Sequence, residues 1–355
     1  MKLTLFLFLI LFVFSSFARC DLSYSAFRTL DGTQSLKELK KVKMGSYNVL
    51  NLEYSPGKYV KNSKTGEKEF IPKGITKDPK ATQEIADIML SENLDIIVLQ
   101  EVEGKQAIDL FNKNFLADQY EVFIMPGNDT RGIDIAFLVK KDLPFKIKMT
   151  SNREATWISH HSKKVEKIFS RDLPTLHFWR KSASGSDPPD FAVMGNHLKS
   201  QRDRASDPKS VIMRTAQVDE IVQNIKNYDE TFPDMPVFLA GDFNANIHEG
   251  VEFKSLFKDG LMKDSFDLST TKLTAEERIT HTFHPRGAET KNSQLDAVLA
   301  NKSGSSLISK AEVYRYKNTD GSIKSLPKTY DERELNPSDH FPVIVEIDLS
   351  KLGAI

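Results

Sequence analysis

The feature that most constrains the fold is a series of short apolar segments along the chain, several of which end in polar residues. Short runs rich in β-branched residues, with polar, Gly or Pro ends, are typical of strands. The predicted strands span residues 43–47, 96–100, 120–125, 133–139, 191–198, 237–241, 295–300 and 342–347. Amphipathic segments between them predict helices at residues 78–92, 104–114 and 209–228.

Two segments between these elements are predicted loops. Residues 53–77 are rich in Lys, Gly and Pro and have little apolar periodicity, and residues 181–190 read KSASGSDPPD. Because strands outnumber helices, two packed sheets with helices outside are favoured over a simple parallel βαβ array. We find no internal repeat or linker, so residues 41–350 are expected to form one domain after a polar lead-in at residues 21–40.

The first twenty residues have the layout of a secretory signal peptide. Lys2 gives a basic start, residues 3–14 are almost entirely apolar, and small residues follow up to Ala18. The apolar run is too short for a comfortable membrane span. We therefore expect a secreted or periplasmic protein, cleaved after Ala18 or Cys20, with an uncleaved membrane anchor as the alternative.

Cys20 is the only cysteine of the chain, so the mature domain is expected to contain no disulfide. A cysteine at the end of a signal peptide can be a lipid attachment site. Lipoprotein signals, however, place a small residue where this chain has Arg19. Lipid anchoring at Cys20 is the less favoured alternative, and it is the only route by which we expect membrane contact.

The overall charge indicates no general affinity for polyanions. The chain has 49 basic and 49 acidic residues, and removal of the first twenty residues would leave a net charge of about −2. A nuclease is not excluded, because a local basic patch can bind a phosphate backbone where the total charge does not. No sequence feature indicates a stable protein partner, and we expect a monomer.

Polar side chains recur at the ends of the predicted strands, where a rigid scaffold meets solvent and active sites collect. These residues are Asn48, Glu101, Asn196, His197, Asp242, Asn244, Asp296, Asp339 and His340. Taken singly, each also fits a turn former, a helix cap or a satisfied polar residue. Asp296 is harder to explain in that way, because a carboxylate inside the apolar segment LDAVLA needs a partner, and histidine is a natural one.

The combination of these residues is more informative than its members. Carboxylate and amide oxygens of Asn48, Glu101 and Asp339 suit Mg²⁺ or Mn²⁺, and no Cys/His cluster indicates structural zinc. Two histidines and the other carboxylates supply acid–base and charge-stabilising groups. The set predicts metal-assisted attack of water on a phosphate ester. The expected cofactor is Mg²⁺, with Mn²⁺ as the alternative and Ca²⁺ in a structural role only.

Seven segments occur in the order found in one known family. YNVLNLE, LQEVE, RGIDIAFLV, NHLKSQ, GDFNAN, LDAVLAN and SDHFPV resemble the motifs of the endonuclease/exonuclease/phosphatase superfamily, over about residues 43–347. This superfamily includes secreted deoxyribonucleases, apurinic endonucleases, bacterial sphingomyelinases and inositol polyphosphate 5-phosphatases. The resemblance implies a deoxyribonuclease I-like α/β fold, a four-layer α/β/β/α sandwich with the site at one end of its two central sheets.

The resemblance also implies roles for the residues around the attacking water. Glu101 would be the principal metal ligand, helped by Asn48 and Asp339. Asp242 would orient or deprotonate the water. The true general base stays open at this point.

The remaining motif residues are implied to act on the phosphate. His340, polarised by Asp296, would contact the phosphate or prepare the water. Asn196 and Asn244 would hold phosphate oxygens. His197 would stabilise charge or protonate the leaving oxygen.

Basic residues near the motifs are candidate phosphate contacts. Arg131, Arg171 and Lys199 are close enough in sequence to the motif residues to contact phosphate or steady the carboxylates. Further cations follow Lys199 and predict a local basic rim, with an ordinary solvated helix start as the alternative. The rim residues are Arg202, Arg204, Lys209 and Arg214.

Departures from the family's branches bear on the substrate. Leu50 stands where apurinic endonucleases usually carry an acidic residue, and Leu295 and Ala297 replace the Cys and Arg of the inositol phosphatases. No adjacent aromatic pair near a turn matches the membrane-entering hairpin of sphingomyelinases. We therefore predict an exported nuclease with little sequence preference, with nucleic acid as substrate. The alternatives are a phospholipid or small phosphate-ester hydrolase and a catalytically silent binding protein on the same fold.

Overall fold

The computed structural model describes residues 26–33, 38–62, 65–184, 187–202, 205–285 and 289–352. The predicted signal peptide and Cys20 lie outside these residues, as does part of the predicted lead-in. Within the described residues, no helix combines the length and the apolar character that a membrane span requires.

The strands, in chain order, are β1 (Arg28–Thr29), β2 (Lys41–Leu52), β3 (Tyr54–Lys61), β4 (Lys68–Ile75), β5 (Ile96–Glu103), β6 (Tyr120–Ile124), β7 (Ile133–Lys140), β8 (Phe145–Thr150), β9 (Thr156–Ile158), β10 (Val165–Lys167), β11 (Thr175–Arg180), β12 (Phe191–His197), β13 (Val237–Asp242), β14 (Met262–Asp264), β15 (His281–Phe283), β16 (Lys291–Ser293), β17 (Asp296–Asn301), β18 (Ile308–Val313) and β19 (Val343–Asp348). The helices are α1 (Pro79–Ser91), α2 (Gly104–Phe115), α3 (Val211–Thr231), α4 (Lys254–Phe257), α5 (Ser265–Leu268), α6 (Lys302–Ser305) and α7 (Tyr330–Glu334).

Two large sheets form the centre of the molecule. One has the strand order β18-β19-β2-β5-β7-β6 and the other the order β1-β8-β11-β12-β13-β17-β14. One layer of buried apolar side chains lies between the sheets, a second beneath α1 and α2, and a third beneath α3. The predicted four-layer α/β/β/α sandwich is confirmed.

Alternation of side chains along each strand explains these layers. In β5, Ile96 and Val98 pack between the sheets, whereas Ile97 and Leu99 pack beneath the helices. A strand buried on both faces is apolar throughout, so it can be recognised as a continuous apolar run. This is why all eight predicted strands are present, together with the three predicted helices, although their ends differ.

The prediction of a loop at residues 53–77 is wrong. β3 and β4 form an antiparallel hairpin there, with Lys61 opposite Lys68 beside the turn. Both faces of this two-stranded ribbon are largely exposed, so its strands show no apolar alternation, and they contain Pro56, Gly57 and Pro72. In the other predicted loop, 181–190, the described residues contain neither helix nor strand.

Candidate active site

The polar ends of six strands meet at one edge of the two sheets. β2 and β5 are parallel, as are β12 and β13, so the carboxyl ends of each pair lie together. β17 and β19 run antiparallel to β13 and β2, so their starts lie there as well. A hydrogen bond of 3.1 Å from Asn48 Nδ2 to Asp242 Oδ2 joins the two sheets at this edge.

Three of the predicted catalytic residues form a row across adjacent strands. His197 is the register partner of Asp242, and Asp242 is the register partner of Asp296. All three side chains are buried. His340 completes the row, because its Nδ1 lies 2.8 Å from Asp296 Oδ2 and its Nε2 lies 4.0 Å from Asp242 Oδ2.

Asp242 is the centre of this row. Its Oδ1 accepts a hydrogen bond from the backbone N–H of Asn244 at 2.7 Å, and its Oδ2 accepts from the side-chain amides of Asn48 and Asn244. His197 Nε2 lies 3.5 Å from the same Oδ2. Burial raises the pKa of Asp242 to about 7, against the opposing charge of His340. A carboxylate with this pKa is suited to a general base near neutral pH.

The two histidines of the row have opposite charge states. Burial by itself would lower the pKa of His340, but the charge and hydrogen bond of Asp296 outweigh it and raise the pKa to about 10. His340 is therefore an imidazolium at neutral pH, and its Nδ1–H donates to Asp296. Burial lowers the pKa of His197 well below its usual value, helped by the charge of Arg171, so His197 is neutral. In this charge state His340 can stabilise negative charge or donate a proton.

Glu101 is directed towards the site by an irregularity in β5. The pairing of β5 with both neighbouring strands shifts register around this position, and Glu101 has a left-handed backbone with a φ of 65°. A bulge of this kind redirects a side chain out of the regular alternation. Glu101 Oε1 lies 3.9 Å from His197 Nε2, and its side chain is 17% exposed. Glu101 thus presents an accessible carboxylate beside the buried row.

Asn196 is fully buried, yet its side-chain Oδ1 and Nδ2 have no hydrogen-bond partner among the described residues. Gly241 allows the close approach of the neighbouring strand here. Its φ is 152°, and a Cβ at this position would meet the Asn196 carbonyl oxygen at 1.9 Å. An unsatisfied buried amide costs about 1–3 kcal/mol, so the Asn196 amide is expected to have a partner. Because Asn196 directly precedes His197, we infer that this partner is a ligand bound at the site.

Asp339 is held at the site by two residues that we did not predict. Arg333 Nη2 lies 3.0 Å from Asp339 Oδ2, and His281 Nε2 lies 3.7 Å from the same atom. Burial by itself would raise the pKa of Asp339, but His281, His340 and Arg333 together hold it far below its usual range. Asp339 Oδ1 is buried and has no hydrogen-bond partner among the described residues. His340 Nε2 lies 3.9 Å from this oxygen, beyond hydrogen-bond distance. An ionised carboxylate with one oxygen that accepts no hydrogen bond fits a metal ligand.

Two groups of side chains at the site have ligand atoms within 4.8 Å of one another: His281–Asp339–His340 and Asp242–Asp296–His340. Both include His340, which would have to lose a proton to bind a cation, and neither includes Glu101. The oxygen ligands predicted from the sequence, Asn48, Glu101 and Asp339, do not depend on His340 and suit Mg²⁺ or Mn²⁺.

Two predicted phosphate contacts share one acidic residue. Arg131 donates to both carboxylate oxygens of Asp129 at 3.1 Å, and Arg171 Nε lies 3.3 Å from Asp129 Oδ2. Arg171 is buried and also donates to the carbonyl oxygen of Leu198 at 3.4 Å. Arg131 remains half-exposed, with 52% of its side chain accessible. Asp129 thus fixes a buried and an accessible guanidinium close to the row.

The predicted basic rim forms only in part. Lys199 lies two residues beyond the end of β12, beside the row as expected. Arg214 was wrongly placed in the rim, because it lies on the face of α3 that packs against the sheet, where it pairs with the buried Glu252 at 2.8 Å. Of the other rim residues, Arg202 and Lys209 are exposed and Arg204 lies outside the described residues.

His281 is the clearest residue that sequence reasoning missed. Its ring centroid lies 4.5 Å from that of His340, and the two backbones form an isolated bridge. The preceding Thr280 is also at the site, where its Oγ1 accepts from the backbone N–H of Asp296 at 2.9 Å. The segment RITHTFHP has no strong apolar pattern, so only long-range pairing brings these residues to the site.

Comparisons with known proteins agree with this arrangement. A family model described as the Endonuclease/Exonuclease/phosphatase family matches residues 45–340. A comparison with curated proteins gives no match. Among solved structures, the chain is similar to the human Nocturnin catalytic domain, at 17% identity and a TM-score of 0.54, covering 90% of this chain and 96% of that chain.

Two further structures are similar at the same level. TDP2 from C. elegans is 16% identical, with a TM-score of 0.53, over 87% of this chain and 75% of that chain. A mannosyl-6-phosphatase from Bacteroides thetaiotaomicron is 17% identical, with a TM-score of 0.52, over 86% of this chain and 98% of that chain. The similarity to these solved structures shows a shared fold. The family model, by contrast, matches most of the sequence. The chain therefore belongs to the endonuclease/exonuclease/phosphatase family of hydrolases that act on phosphate esters.

Proposed function

We propose that the protein is an exported, Mg²⁺- or Mn²⁺-dependent phosphodiesterase that cleaves DNA or RNA with little sequence preference. The observation that carries the chemistry is the row formed by His197, Asp242, Asp296 and His340. In this row a carboxylate with a pKa of about 7 lies between a neutral and a cationic imidazole. Such a row offers a base and a charge-stabilising acid to the same phosphate.

Asp242 is the proposed base. The Asp242 carboxylate would accept a proton from the attacking water as the oxygen of that water bonds to phosphorus. Its geometry is fixed in advance by the amides of Asn48 and Asn244. Asn196, with its unpartnered amide, would donate to a phosphate oxygen.

His340 is the proposed acid and charge stabiliser. Asp296 binds its Nδ1, whereas its Nε2 lies 4.0 Å from Asp242 Oδ2 and 3.9 Å from Asp339 Oδ1, beyond hydrogen-bond distance of either, so Nε2–H can donate to the phosphate. As the ester P–O bond breaks, a proton from Nε2 can pass to the leaving oxygen. His197 is neutral and would contribute a hydrogen bond rather than a proton.

The proposed metal ligands are Asn48, Glu101 and Asp339. Their oxygens suit a hard divalent cation, and Asp339 Oδ1 lacks a partner among the described residues. When bound, the cation would neutralise charge on the phosphate oxygens.

Exposed cations beside the site support a polyanionic substrate. Arg131 is half-exposed at the site. The β3–β4 hairpin starts directly after β2, which carries Asn48, and it adds exposed lysines at positions 58, 61, 68 and 73. Contacts of this kind bind a phosphate backbone without reading bases, so cleavage is expected to show little sequence preference and to weaken as salt rises.

Export is proposed from the signal-peptide layout of residues 1–20. Expression of the full chain in a bacterial host, followed by fractionation and mass spectrometry of the N-terminus, tests this. A mature protein outside the cytoplasm that begins after Ala18 or Cys20 is expected. Retention of residues 1–20 on a cytoplasmic protein would reject export.

A substrate panel tests the proposed reaction. The purified protein, with Mg²⁺ or Mn²⁺ at low salt, is assayed on plasmid DNA, total RNA, sphingomyelin vesicles, mannose 6-phosphate and bis-p-nitrophenyl phosphate. We expect cleavage of DNA or RNA and of the synthetic diester. Hydrolysis of the lipid or the sugar phosphate, without cleavage of either nucleic acid, would reject the nuclease proposal.

A further inference from the structure

The β3–β4 hairpin is an arm whose root lies beside the candidate site. It is a separate two-stranded sheet of eight residues per strand, so it is about 25 Å long at roughly 3.3 Å per residue. Its root is fixed, because Tyr54 and Ile75 pack against the apolar layer beneath α1 and α2. The backbone N–H of Tyr54 also donates to Glu103 at 2.7 Å. Beyond this root most of its residues are exposed.

One face of the arm combines aromatic rings with like charges. Tyr59 lies directly opposite Phe70, and Lys61 directly opposite Lys68. Alternate residues of a strand point to the same side, so these four side chains share one face. Tyr59 is 71% exposed and Phe70 is 52% exposed, with ring centroids 5.0 Å apart. We name Tyr59, Lys61, Lys68 and Phe70 the aromatic face.

The fold gains little from this face. The cross-strand contact of the two rings contributes at most about 1 kcal/mol, and the like charges of Lys61 and Lys68, placed directly opposite each other, work against it. A partner with flat apolar groups and negative charges at close intervals would cover the rings and neutralise the lysines. An unpaired nucleic-acid strand has both, because its bases can stack on aromatic rings while its phosphates pair with lysines.

The position of the arm fits this partner. Lys77, just after β4, donates from Nζ to the carbonyl oxygen of Leu50 at 2.8 Å, and Leu50 lies two residues from Asn48. The root of the arm therefore adjoins the proposed metal ligands. A nucleic-acid strand that binds the aromatic face and the active site together would pass this root.

The pair Tyr59–Phe70 corrects our expectation that the chain has no adjacent aromatic pair near a turn. A lipid surface nevertheless fits the arm less well. An arm that enters a bilayer would lead with its tip, and the turn between the strands reads NSKTGE. The described turn residues Asn62, Thr65 and Glu67 are polar, and Thr65 and Glu67 are exposed. The two rings stand behind this polar tip, where they can stack on a base but cannot reach the apolar interior first.

We propose that the aromatic face binds a single-stranded segment of DNA or RNA and guides it to the catalytic row. The inference rests on the nuclease proposal and adds that unpaired stretches are preferred. Binding is measured with a labelled oligothymidylate of about 12 nucleotides, by fluorescence anisotropy in EDTA so that no cleavage occurs. Hydrolysis of bis-p-nitrophenyl phosphate with Mg²⁺ reports the catalytic row separately.

Substitution of the two aromatic residues is the first part of the experiment. Tyr59→Ala and Phe70→Ala should each weaken oligonucleotide binding about 10-fold, because each removes one stacking surface. Tyr59→Phe keeps the ring and should bind like the wild type. All three variants should hydrolyse the synthetic diester at the wild-type rate, since that small substrate does not reach the arm.

Reversal of the two lysine charges is the second part of the experiment. Lys61→Glu with Lys68→Glu should weaken binding and reduce its dependence on salt. Lys226→Glu with Lys302→Glu is the matched control, because it changes the charge by the same amount. Both lysines are exposed; Lys302 follows the end of β17, at the opposite end of that strand from Asp296, and Lys226 lies near the end of α3. This control should leave binding unchanged.

The outcomes separate this inference from the nuclease proposal. Wild-type oligonucleotide affinity in both ring variants, in a protein that still cleaves DNA or RNA, would overturn the inference alone. Binding to vesicles of anionic phospholipid that is lost in the ring variants, without oligonucleotide binding, would also overturn it. Absence of nucleic-acid cleavage by the wild type in the substrate panel would instead reject the nuclease proposal.

Discussion

His340 Nδ1 lies 2.8 Å from Asp296 Oδ2, and this buried hydrogen bond makes His340 the cationic member of the catalytic row. The pair also explains why an acidic residue occurs within an apolar strand. Its carboxylate is stabilised by an imidazolium whose other nitrogen faces Asp242. The electrostatics of the site therefore depend on a contact between the starts of two strands in different sheets.

Asp296→Asn should lower turnover of bis-p-nitrophenyl phosphate by roughly 10²-fold, because His340 loses the charge that keeps it protonated. Because the pair is buried, its loss should also lower the urea midpoint, so turnover is compared on protein that circular dichroism shows to be folded. Asp109→Asn, an exposed acid on α2, is the control and should retain full turnover. Near-normal turnover of Asp296→Asn would show that the pair has no part in the reaction.

Gly241→Ala should destabilise the protein by about 3 kcal/mol or more, because its Cβ would lie 1.9 Å from the Asn196 carbonyl oxygen. Gly321→Ala is the matched comparison. It also has a positive φ, of 84°, but no atom lies within 4 Å of its added Cβ, so the cost should be only about 1 kcal/mol. Urea unfolding of both variants gives the two values. Equal costs would contradict the close approach of β12 and β13.

Asp172 links stability to pH. Burial raises the pKa of this carboxyl to about 6, although it accepts hydrogen bonds from Ser151 and two backbone N–H groups. The folded state therefore holds a proton that the unfolded state has released between about pH 4 and pH 6. Stability from this group falls as pH rises through that window and is lost above it.

Asp172→Asn should remove this dependence and stabilise the protein at pH 7–8 by on the order of 1–3 kcal/mol. The amide keeps one acceptor oxygen, and Asn tolerates the left-handed backbone of this position, where φ is 67°. Thermal unfolding of wild type and variant between pH 4 and pH 8 measures the difference. Parallel pH profiles would contradict the assigned pKa.

Arg214 and Glu252 form a buried ion pair beneath α3. Arg214→Met should cost roughly 3–5 kcal/mol, because it leaves the Glu252 carboxylate without a partner. The double variant Arg214→Met, Glu252→Met should recover much of that loss. If urea unfolding shows that the two single costs add, the pair does not interact as described.

Much of the fold was predictable because buried strands of two packed sheets are continuous apolar runs, as in residues 96–99 of β5. β8, β11 and β18 were missed because the prediction relied on continuous apolar runs, although the alternation in FKIKMT of β8 is itself the pattern of a half-buried strand. The hairpin was missed because it buries neither face. Apolar periodicity arises because one face of an element is buried, so a strand that is exposed on both faces does not show it.

The site was predictable as far as it lies on strand ends. His197 and Asp242 follow from apolar runs that stop at a polar residue. His281 and Arg333 could not be found in this way, because they reach Asp339 from segments without apolar periodicity. The charge states of His197 and His340 could not be predicted from the sequence either, because they depend on which charged groups lie beside each ring in the folded protein.

The central claim is that a divalent metal ion and the row around Asp242 together hydrolyse phosphodiesters. Its most direct test is hydrolysis of bis-p-nitrophenyl phosphate by the wild type and by Asp242→Asn, after EDTA treatment and again after addition of Mg²⁺ or Mn²⁺. We expect no activity of the chelated wild type, recovery with the metal, and turnover of Asp242→Asn at least roughly 10²-fold lower under the same conditions. Full wild-type activity after exhaustive chelation, or normal turnover of Asp242→Asn with metal, would contradict the claim.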